Sequence, residues 1–243
     1  MKNITASSLL SVVVTLLVPV VLILSCVRLL LMPLFLTFEY QMADFPKDNY
    51  GFSQTERLYY ARFAVDYLVY NVDLDYLSQL RFPEGTSAPP TSCSQMTDCS
   101  YMFNERELYH MEDVKLVTQK VLQIWRAALI LLALLGVLAW AKGWSIKYAV
   151  AIGKGGWLTT IFSGAILLGM LASFGIVFVA FHDIFFAPGT WMFLTSDTLI
   201  RLFPERFWRD VFLVALGLPA IIGLCLSLVL KQNRTPAEVS HIG

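Results

Sequence analysis

Charged residues are scarce in this chain. Asp, Glu, Lys and Arg make up 15% of its 243 residues, whereas about a quarter of the residues in a soluble domain are charged. Hydrophobic residues make up 57%. A soluble domain is therefore excluded, and the composition predicts a membrane protein with no indication of a nucleic-acid partner.

The sequence also lacks the common nucleophile and metal motifs. It has no G-x-S-x-G segment and no HExxH spacing, and it contains only three histidines and four cysteines. These absences argue against a serine-hydrolase elbow and a zinc protease site, so no metal and no cofactor is predicted. If the protein is an enzyme, acid–base chemistry by histidine is the simplest mechanism.

Four long apolar runs are present. A helix needs about 20 mostly apolar residues to cross the hydrocarbon, and runs 9–36, 122–141, 157–181 and 208–230 meet this requirement. Three lysines and no acid lie between the second and third runs, and such basic loops are retained on the cytoplasmic side. The predicted fold class is a mainly α, polytopic membrane protein with four transmembrane helices and a small extracellular cap.

The predicted topology has nine segments and places both termini in the cytoplasm. In chain order they are a cytoplasmic N-terminus (1–8), the first span (9–36), an extracellular cap with the start of a long second helix (37–121), the second span (122–141), a cytoplasmic loop (142–156), the third span (157–181), an extracellular loop (182–207), the fourth span (208–230) and a cytoplasmic tail (231–243).

The cap region contains a clear helix-start pattern. Ser53 and Glu56 form a capping box, and the aromatic and apolar residues that follow predict a helix from about Gln54 to Tyr70. A shorter helical or turn segment is predicted for residues 74–80. With about 70 residues the cap can scarcely build a large core of its own.

His110 lies near the start of a second predicted helix. Asn104 and Glu107 form its start signal, and neither Pro nor Gly interrupts residues 105–135. At about 1.5 Å per residue this helix exceeds the thickness of the hydrocarbon core, so His110 is predicted on its outer overhang. His182 ends the third apolar run at the same predicted membrane face.

Each of these histidines has a carboxylate nearby in sequence. Asp113 lies one helical turn beyond His110, so the two side chains can touch, whereas the adjacency of Asp183 to His182 guarantees no contact. A carboxylate can fix the tautomer of an imidazole. The third histidine, His241, lies in the predicted cytoplasmic tail. From the residues alone, a catalytic pair and a pair of interfacial fillers both remain open.

Two further features also remain open at this stage. Arg28 lies inside the first apolar run, where it either reaches the nearby outer surface or contacts a headgroup or carbonyl. Cys93 and Cys99 lie in the predicted outer region, where a disulfide is possible but not required.

Five segments resemble the bacterial lipoprotein intramolecular transacylases. They are VRLLLMPLFLTFEY (27–40), FPKDNYGFSQTER (45–57), LRFPEG (80–85), ELYHMEDVK (107–115) and FHDIFF (181–186). The resemblance extends over nearly the whole chain, and the segment HMEDVK is its most specific part. It implies four spans beneath an outer cap.

The resemblance also implies a reaction within one substrate in the bacterial cell membrane. An ester-linked acyl chain of a diacylglyceryl-modified lipoprotein moves to the α-amino group of the lipidated cysteine and leaves a lyso form. The family's two histidines correspond to His110 and His182. We expect His110 to act as base toward the amine and His182 to stabilise the tetrahedral oxygen or protonate the leaving oxygen, although the reverse is also open.

The resemblance suggests supporting roles for other residues. Aromatic side chains are expected to shape a tight pocket at the boundary between the cap and the membrane lipid, with interfacial anchoring as the alternative role; they are Tyr40, Phe185, Phe186 and Trp191. Arg28 or Lys115 is expected to polarise a carbonyl. The oligomeric state is not predicted.

Two other functions compete with this interpretation. A quinone-linked thiol oxidoreductase also suits four helices and an external cysteine pair, but five residues separate Cys93 from Cys99 in place of a C-x-x-C motif. A non-enzymatic membrane assembly factor would use the cap as a docking surface and would tolerate His110→Ala and His182→Ala.

Overall fold

The computed structural model describes residues 5–232. Within this range the chain forms ten α-helices and no β-strand. The helices are α1 (Ala6–Leu30), α2 (Pro33–Tyr40), α3 (Gln54–Val69), α4 (Asp75–Ser78), α5 (Pro90–Cys93), α6 (Glu105–Ala141), α7 (Ser145–Ala172), α8 (Phe174–Phe185), α9 (Thr198–Leu202) and α10 (Glu205–Gln232). His241 and the rest of the predicted tail from residue 233 lie outside the described residues.

Four of the described helices are long and apolar enough to cross a membrane. They are α1, α6, α7 and α10. The predicted mainly helical class with four spans is confirmed.

The apolar run 9–36 is divided between two helices. α1 ends at Leu30, and α2 begins with Pro33 at its first position. Proline lacks the N–H that would continue a helix, and its fixed φ suits the first helical position. The boundary drawn at residue 36 therefore runs past the end of α1.

The third apolar run is shifted and interrupted. α7 ends at Ala172, Ser173 has an extended backbone, and α8 begins at Phe174. At its other end α7 begins at Ser145, so most of the predicted loop 142–156 is helical. Lysine is a good helix former, and Gly143, with φ of 70°, supplies the turn after α6.

The described chain divides into two compact units. The histidine unit comprises Leu29–Val121 and Phe174–Val211, and it holds both His110 and His182. The span unit comprises the described parts of Met1–Arg28, Leu122–Ser173 and Phe212–Gly243.

The histidine unit has a core rich in aromatic side chains. α3 begins as predicted, with Ser53 Oγ accepting from Glu56 N at 3.2 Å and Glu56 Oε2 accepting from Ser53 N at 2.8 Å. The large buried residues of this core are Leu36, Tyr40, Phe52, Tyr60, Tyr67, Leu77, Phe82, Met102, Phe103, Met111, Leu199, Leu202, Phe203 and Phe207. Aromatic side chains each bury a large apolar area, so this core resembles that of a small domain.

A buried ion pair crosses the same unit. Arg201 is 4% exposed, and its Nε and Nη2 lie 3.0 Å from the two carboxylate oxygens of Asp48. The guanidinium lies 3.9 Å from the centre of the Phe52 ring. Because the charges are paired and face an aromatic surface, their burial is compensated.

The span unit is packed through small residues. A Cβ atom on Gly156 would lie 2.4 Å from the carbonyl oxygen of Gly223, so α7 and α10 meet backbone to backbone. Nearby, the hydroxyl of Ser227 donates to the Gly153 carbonyl at 2.7 Å. Small residues and hydroxyl-to-carbonyl hydrogen bonds are typical of helix contacts in membranes.

Candidate active site

His110 is held near the start of α6 by a reciprocal helix cap. Asn104 N donates to Glu107 Oε2, and Glu107 N donates to Asn104 Oδ1, both at 2.9 Å. The other oxygen of Glu107 accepts from Leu199 N at 2.7 Å, at the start of α9. The first turn of α6 is therefore fixed to α9, and His110 follows it by one turn.

A buried carboxylate fixes the segment that precedes α9. Asp197 is fully buried, and its Oδ1 accepts from Ser92 Oγ at 2.8 Å and from Asn104 Nδ2 at 3.2 Å. Its Oδ2 accepts from Leu194 N at 2.8 Å and from Arg106 at 3.3 Å. This network holds the chain beside Leu194 against the start of α6.

His182 lies in the last turn of α8, and its ring is fixed from within the helix. Its Nδ1 lies 2.8 Å from the carbonyl oxygen of Phe178, four residues earlier. A carbonyl oxygen can only accept, so Nδ1 carries the hydrogen. In the neutral ring the lone pair is then on Nε2.

The two imidazoles face each other. Their ring centres are 6.4 Å apart with an interplanar angle of 23°, and His110 and His182 are 9% and 7% exposed. This separation is too long for a direct hydrogen bond between ring nitrogens. A reacting group of a substrate can therefore lie between them.

Aromatic side chains pack around the histidines, and we define the imidazole cluster as the two imidazoles with the rings of Phe178, Phe186, Trp191 and Phe193. Phe181 also contacts His182, at 5.5 Å. Phe186 lies 4.9 Å from His110 and 5.6 Å from His182, and Phe193 lies 5.3 Å from His110. Phe178 and Trp191 lie 4.1 and 4.7 Å from His182. These distances join ring centres. The rings limit the access of water to both imidazoles.

Burial controls the charge of the site. Burial lowers the pKa of His182 below its ordinary value, and the hydrogen bond to Phe178 and the negative charge of Asp183 act in the opposite direction. His182 is therefore neutral at physiological pH, with its Nε2 able to accept a proton.

The carboxylate expected beside His110 does not orient its Nδ1. This nitrogen is buried and has no hydrogen-bond partner within residues 5–232, so Asp113, one turn further along α6, does not bond to it. Helical spacing allowed that contact, but the imidazole packs against the rings of Phe186 and Phe193.

Other residues predicted for the site have different partners. The ammonium of Lys115 donates to the Val72 carbonyl and lies 4.0 Å from the centre of the Tyr67 ring. The hydroxyl of Tyr40 donates to the Leu202 carbonyl in the core of the histidine unit. Arg28 belongs to the other unit, in the last turn of α1.

The remaining predicted site residues are Phe185 and the cysteine pair Cys93 and Cys99. Phe185 is exposed and packs on Phe181 and Phe186. Cys93 and Cys99 are joined by a disulfide. Among residues 5–232, no three His, Cys, Asp or Glu side chains are grouped to hold a metal ion.

Sequence reasoning missed two members of the imidazole cluster. Phe178 was assigned to the apolar span, although its spacing of four from His182 places both residues on one helix face. Phe193 has no comparable signal, because its position depends on the hydrogen bonds that Asp197 makes to the neighbouring backbone.

Comparisons with known proteins agree with this architecture. An uncharacterized protein of Aquifex aeolicus is 29% identical over 201 residues, which are 78% of each chain. The solved structure of the lipoprotein intramolecular transacylase Lit from Bacillus cereus has a TM-score of 0.60 at 20% identity and covers 94% of this chain and 97% of its own. A second structure of that protein, with one histidine replaced by alanine, has a TM-score of 0.59 at 16% identity and covers 94% and 95% of the two chains. At these identities the solved structures establish the shared fold.

A family model establishes more than the fold. The model described as lipoprotein intramolecular transacylase Lit matches residues 11–208, which include both histidines and most of the chain. The chain therefore belongs to the family of lipoprotein intramolecular transacylases, which are acyltransferases, and it is a multi-pass membrane protein.

Proposed function

We propose that this chain moves an ester-linked acyl group from the diacylglyceryl moiety of a lipidated cysteine to the α-amino group of the same cysteine. His110 and His182 carry out the proton transfers. The observation that carries the proposal is the pair of buried imidazoles, 6.4 Å apart between ring centres and surrounded by aromatic rings.

The protein forms no covalent bond to the substrate in this reaction. The amine nitrogen attacks the ester carbonyl carbon, a C–N bond forms, and the C–O bond to glycerol breaks. The nitrogen loses one proton and the glycerol oxygen gains one, so no atom is left over. Holding both groups of one substrate in reactive alignment supplies roughly 7 to 11 kcal/mol of the barrier in favourable cases.

His182 is the better placed base. Its Nδ1 donates to Phe178, so the neutral ring offers the Nε2 lone pair to the amine proton. The resulting imidazolium returns the same proton to the glycerol oxygen as the C–O bond breaks. This is the reverse of the assignment expected from the sequence, in which His110 acts as the base.

His110 acts from the opposite side of the space between the two imidazoles. Its buried Nδ1 has no partner within the described residues, so it is able to hydrogen-bond the substrate's glycerol oxygen. A donor at this position stabilises the negative charge that builds on the oxygen as the ester bond breaks.

The aromatic wall suits the substrate. Acyl chains bind to apolar surfaces, and the rings of Phe186, Phe193 and Trp191 present such a surface beside the imidazoles. Exclusion of water also prevents hydrolysis of the ester, which would compete with transfer to the amine.

The site is proposed to lie at the outer face of the membrane. Lys142, Lys147 and Lys154 lie together between the second and third apolar runs, which favours the cytoplasmic side for that connection. In the sequence, His110 precedes the second apolar run and His182 follows the third, so each is separated from these lysines by one run. An outer site meets lipoproteins after their diacylglyceryl modification and export.

The test is acyl transfer on a synthetic diacylglyceryl lipopeptide with the purified protein in lipid vesicles. Transfer within one molecule leaves its mass unchanged, so fragment-ion mass spectrometry must locate the acyl chain on the amine. We expect His110→Ala and His182→Ala each to lower the rate by about 10²- to 10⁴-fold, with the larger loss for His182→Ala. His241→Ala, which changes the third histidine, serves as the control. Folded His110→Ala and His182→Ala variants with the wild-type rate would contradict the proposal.

A further inference from the structure

The indole N–H of Trp191 is buried without an acceptor. Trp191 Nε1 has no hydrogen-bond partner within residues 5–232. An indole nitrogen only donates, and a buried donor without an acceptor destabilises the folded state. Buried polar groups of this kind call for an explanation, and a role in catalysis is one of the recognised explanations.

The indole ring that carries this N–H packs directly on His182. The indole centre lies 4.7 Å from the His182 ring centre, with an interplanar angle of 35°. The chain reaches this position by turning after α8 at Gly189, which has φ of 84°, a value that favours glycine. His110 Nδ1, in the same cluster, is also buried without a partner. Two nitrogens without a partner among the described residues therefore belong to the cluster that contains the base.

We propose that the Trp191 N–H donates a hydrogen bond to the oxyanion of the tetrahedral intermediate. This inference rests on the proposed acyl transfer. When the amine adds to the ester, the carbonyl oxygen becomes negatively charged and accepts hydrogen bonds far more strongly than before. The N–H keeps its proton throughout, and the oxygen returns to a carbonyl when the C–O bond breaks.

The cluster offers few other donors. Among residues 5–232, the side chains with ring contacts to His182 include His110, Phe178, Phe181, Phe186 and Trp191. Only His110 and Trp191 of these carry an N–H. His110 is assigned to the glycerol oxygen, so Trp191 is the donor that remains for the carbonyl oxygen.

Burial makes this donor effective. A hydrogen bond is electrostatically stronger where water is excluded, and the indole is already oriented by its packing on His182 and on Phe178, whose ring centre is 6.3 Å away. The donor therefore interacts more strongly with the transition state than with the resting ester, which is the condition for raising kcat.

Trp191→Phe tests the inference, because phenylalanine keeps an aromatic ring and removes the N–H. We expect kcat to fall by about 10²- to 10³-fold, as for the loss of one oxyanion donor, with KM changed less than about twofold. The thermal midpoint should stay the same or rise, since the variant no longer buries an unpaired donor. Replacing Trp191 with 3-benzothienylalanine, which has sulfur in place of N–H, should have the same effect on kcat with a closer match in shape.

Trp208→Phe is the matched control, because Trp208 also packs on Phe178, at 6.2 Å between ring centres, and the chemical change is identical. It should retain the wild-type kcat. A Trp191→Phe variant with the wild-type kcat would overturn the inference and leave the histidine mechanism intact. A loss that appears as a raised KM with a lower thermal midpoint would also overturn it, since packing would then be the role of Trp191. Failure of the proposed function gives a different result: the wild-type protein makes no N-acylated product.

Discussion

Different interactions stabilise the interior of the histidine unit and the interior of the span unit. The histidine unit has an aromatic core and buried, paired charges such as Asp48–Arg201. The span unit relies on glycines at helix contacts and on hydroxyl-to-carbonyl hydrogen bonds such as Ser227 to Gly153. In lipid the hydrophobic effect does not drive helices together, so close backbone approach takes its place. The unit with a water-excluding core of its own is the one that carries the imidazole cluster.

The largest expected effect on stability comes from the buried ion pair. Asp48→Ala leaves the guanidinium of Arg201 buried without its partner, which we expect to cost about 3 to 5 kcal/mol in the free energy of unfolding. Unfolding by SDS titration in mixed micelles measures this cost. Asp98→Ala is the control, because it breaks the exposed Arg81–Asp98 pair and should change stability little. Equal effects of the two variants would contradict the claim that buried, paired charges stabilise the histidine unit.

A smaller effect is expected in the span unit. Gly156→Ala places a methyl group 2.4 Å from the Gly223 carbonyl oxygen, and because backbone cannot rotate away we expect a cost of about 3 kcal/mol. The same SDS titration measures it.

Gly164→Ala is the matched control on α7, since a Cβ there meets nothing within 4 Å. Alanine favours helix over glycine, so this variant should be unchanged or more stable. A Gly156→Ala variant as stable as Gly164→Ala would show that close approach does not hold the span unit together.

The disulfide is expected to contribute less to the free energy of unfolding. Replacing both Cys93 and Cys99 by serine removes a short loop constraint, which we expect to cost about 2 kcal/mol. The Ser92 hydroxyl that binds Asp197 lies next to Cys93, but acyl transfer by the folded variant should remain near the wild-type rate. A complete loss of acyl transfer in folded protein would contradict the expectation that the disulfide contributes to stability alone.

The smallest expected effect concerns pH. If neutral His182 is the base, the rate falls as the pH drops through its pKa, which burial places below the ordinary value near 6.5. The charge of Asp183 raises that pKa, so Asp183→Asn should lower it and move the acid limb of the pH–rate profile to lower pH by a fraction of a unit. A shift to higher pH, or none in the acid limb, would contradict the assignment of His182 as base.

The sequence predicted the helices and the family better than the geometry of the site. Capping residues Ser53 and Asn104 are local signals, and they located the starts of α3 and α6; the family resemblance and the four spans are likewise confirmed. No proline lies beside Ser173 in the sequence, so the break between α7 and α8 was not predicted. The catalytic roles of His110 and His182 remain a prediction.

The contacts of the site depend on distant parts of the chain. Asp197 fixes the segment beside Phe193 through Ser92 and Asn104, about 100 residues earlier. The orientation of Trp191 depends on the turn after α8. Pro188–Gly189 is a local turn signal, but the contacts between distant segments have no local pattern, so composition and spacing could not predict them.

The hydrogen bond from His182 to the Phe178 carbonyl has a consequence for turnover. This hydrogen bond favours one orientation of the ring in every cycle. In the proposed reaction the proton taken from the amine is given to the glycerol oxygen. The enzyme then finishes each cycle in the state in which it started. Such a catalyst needs no proton pathway to bulk solvent, so its site can stay closed to water throughout the reaction.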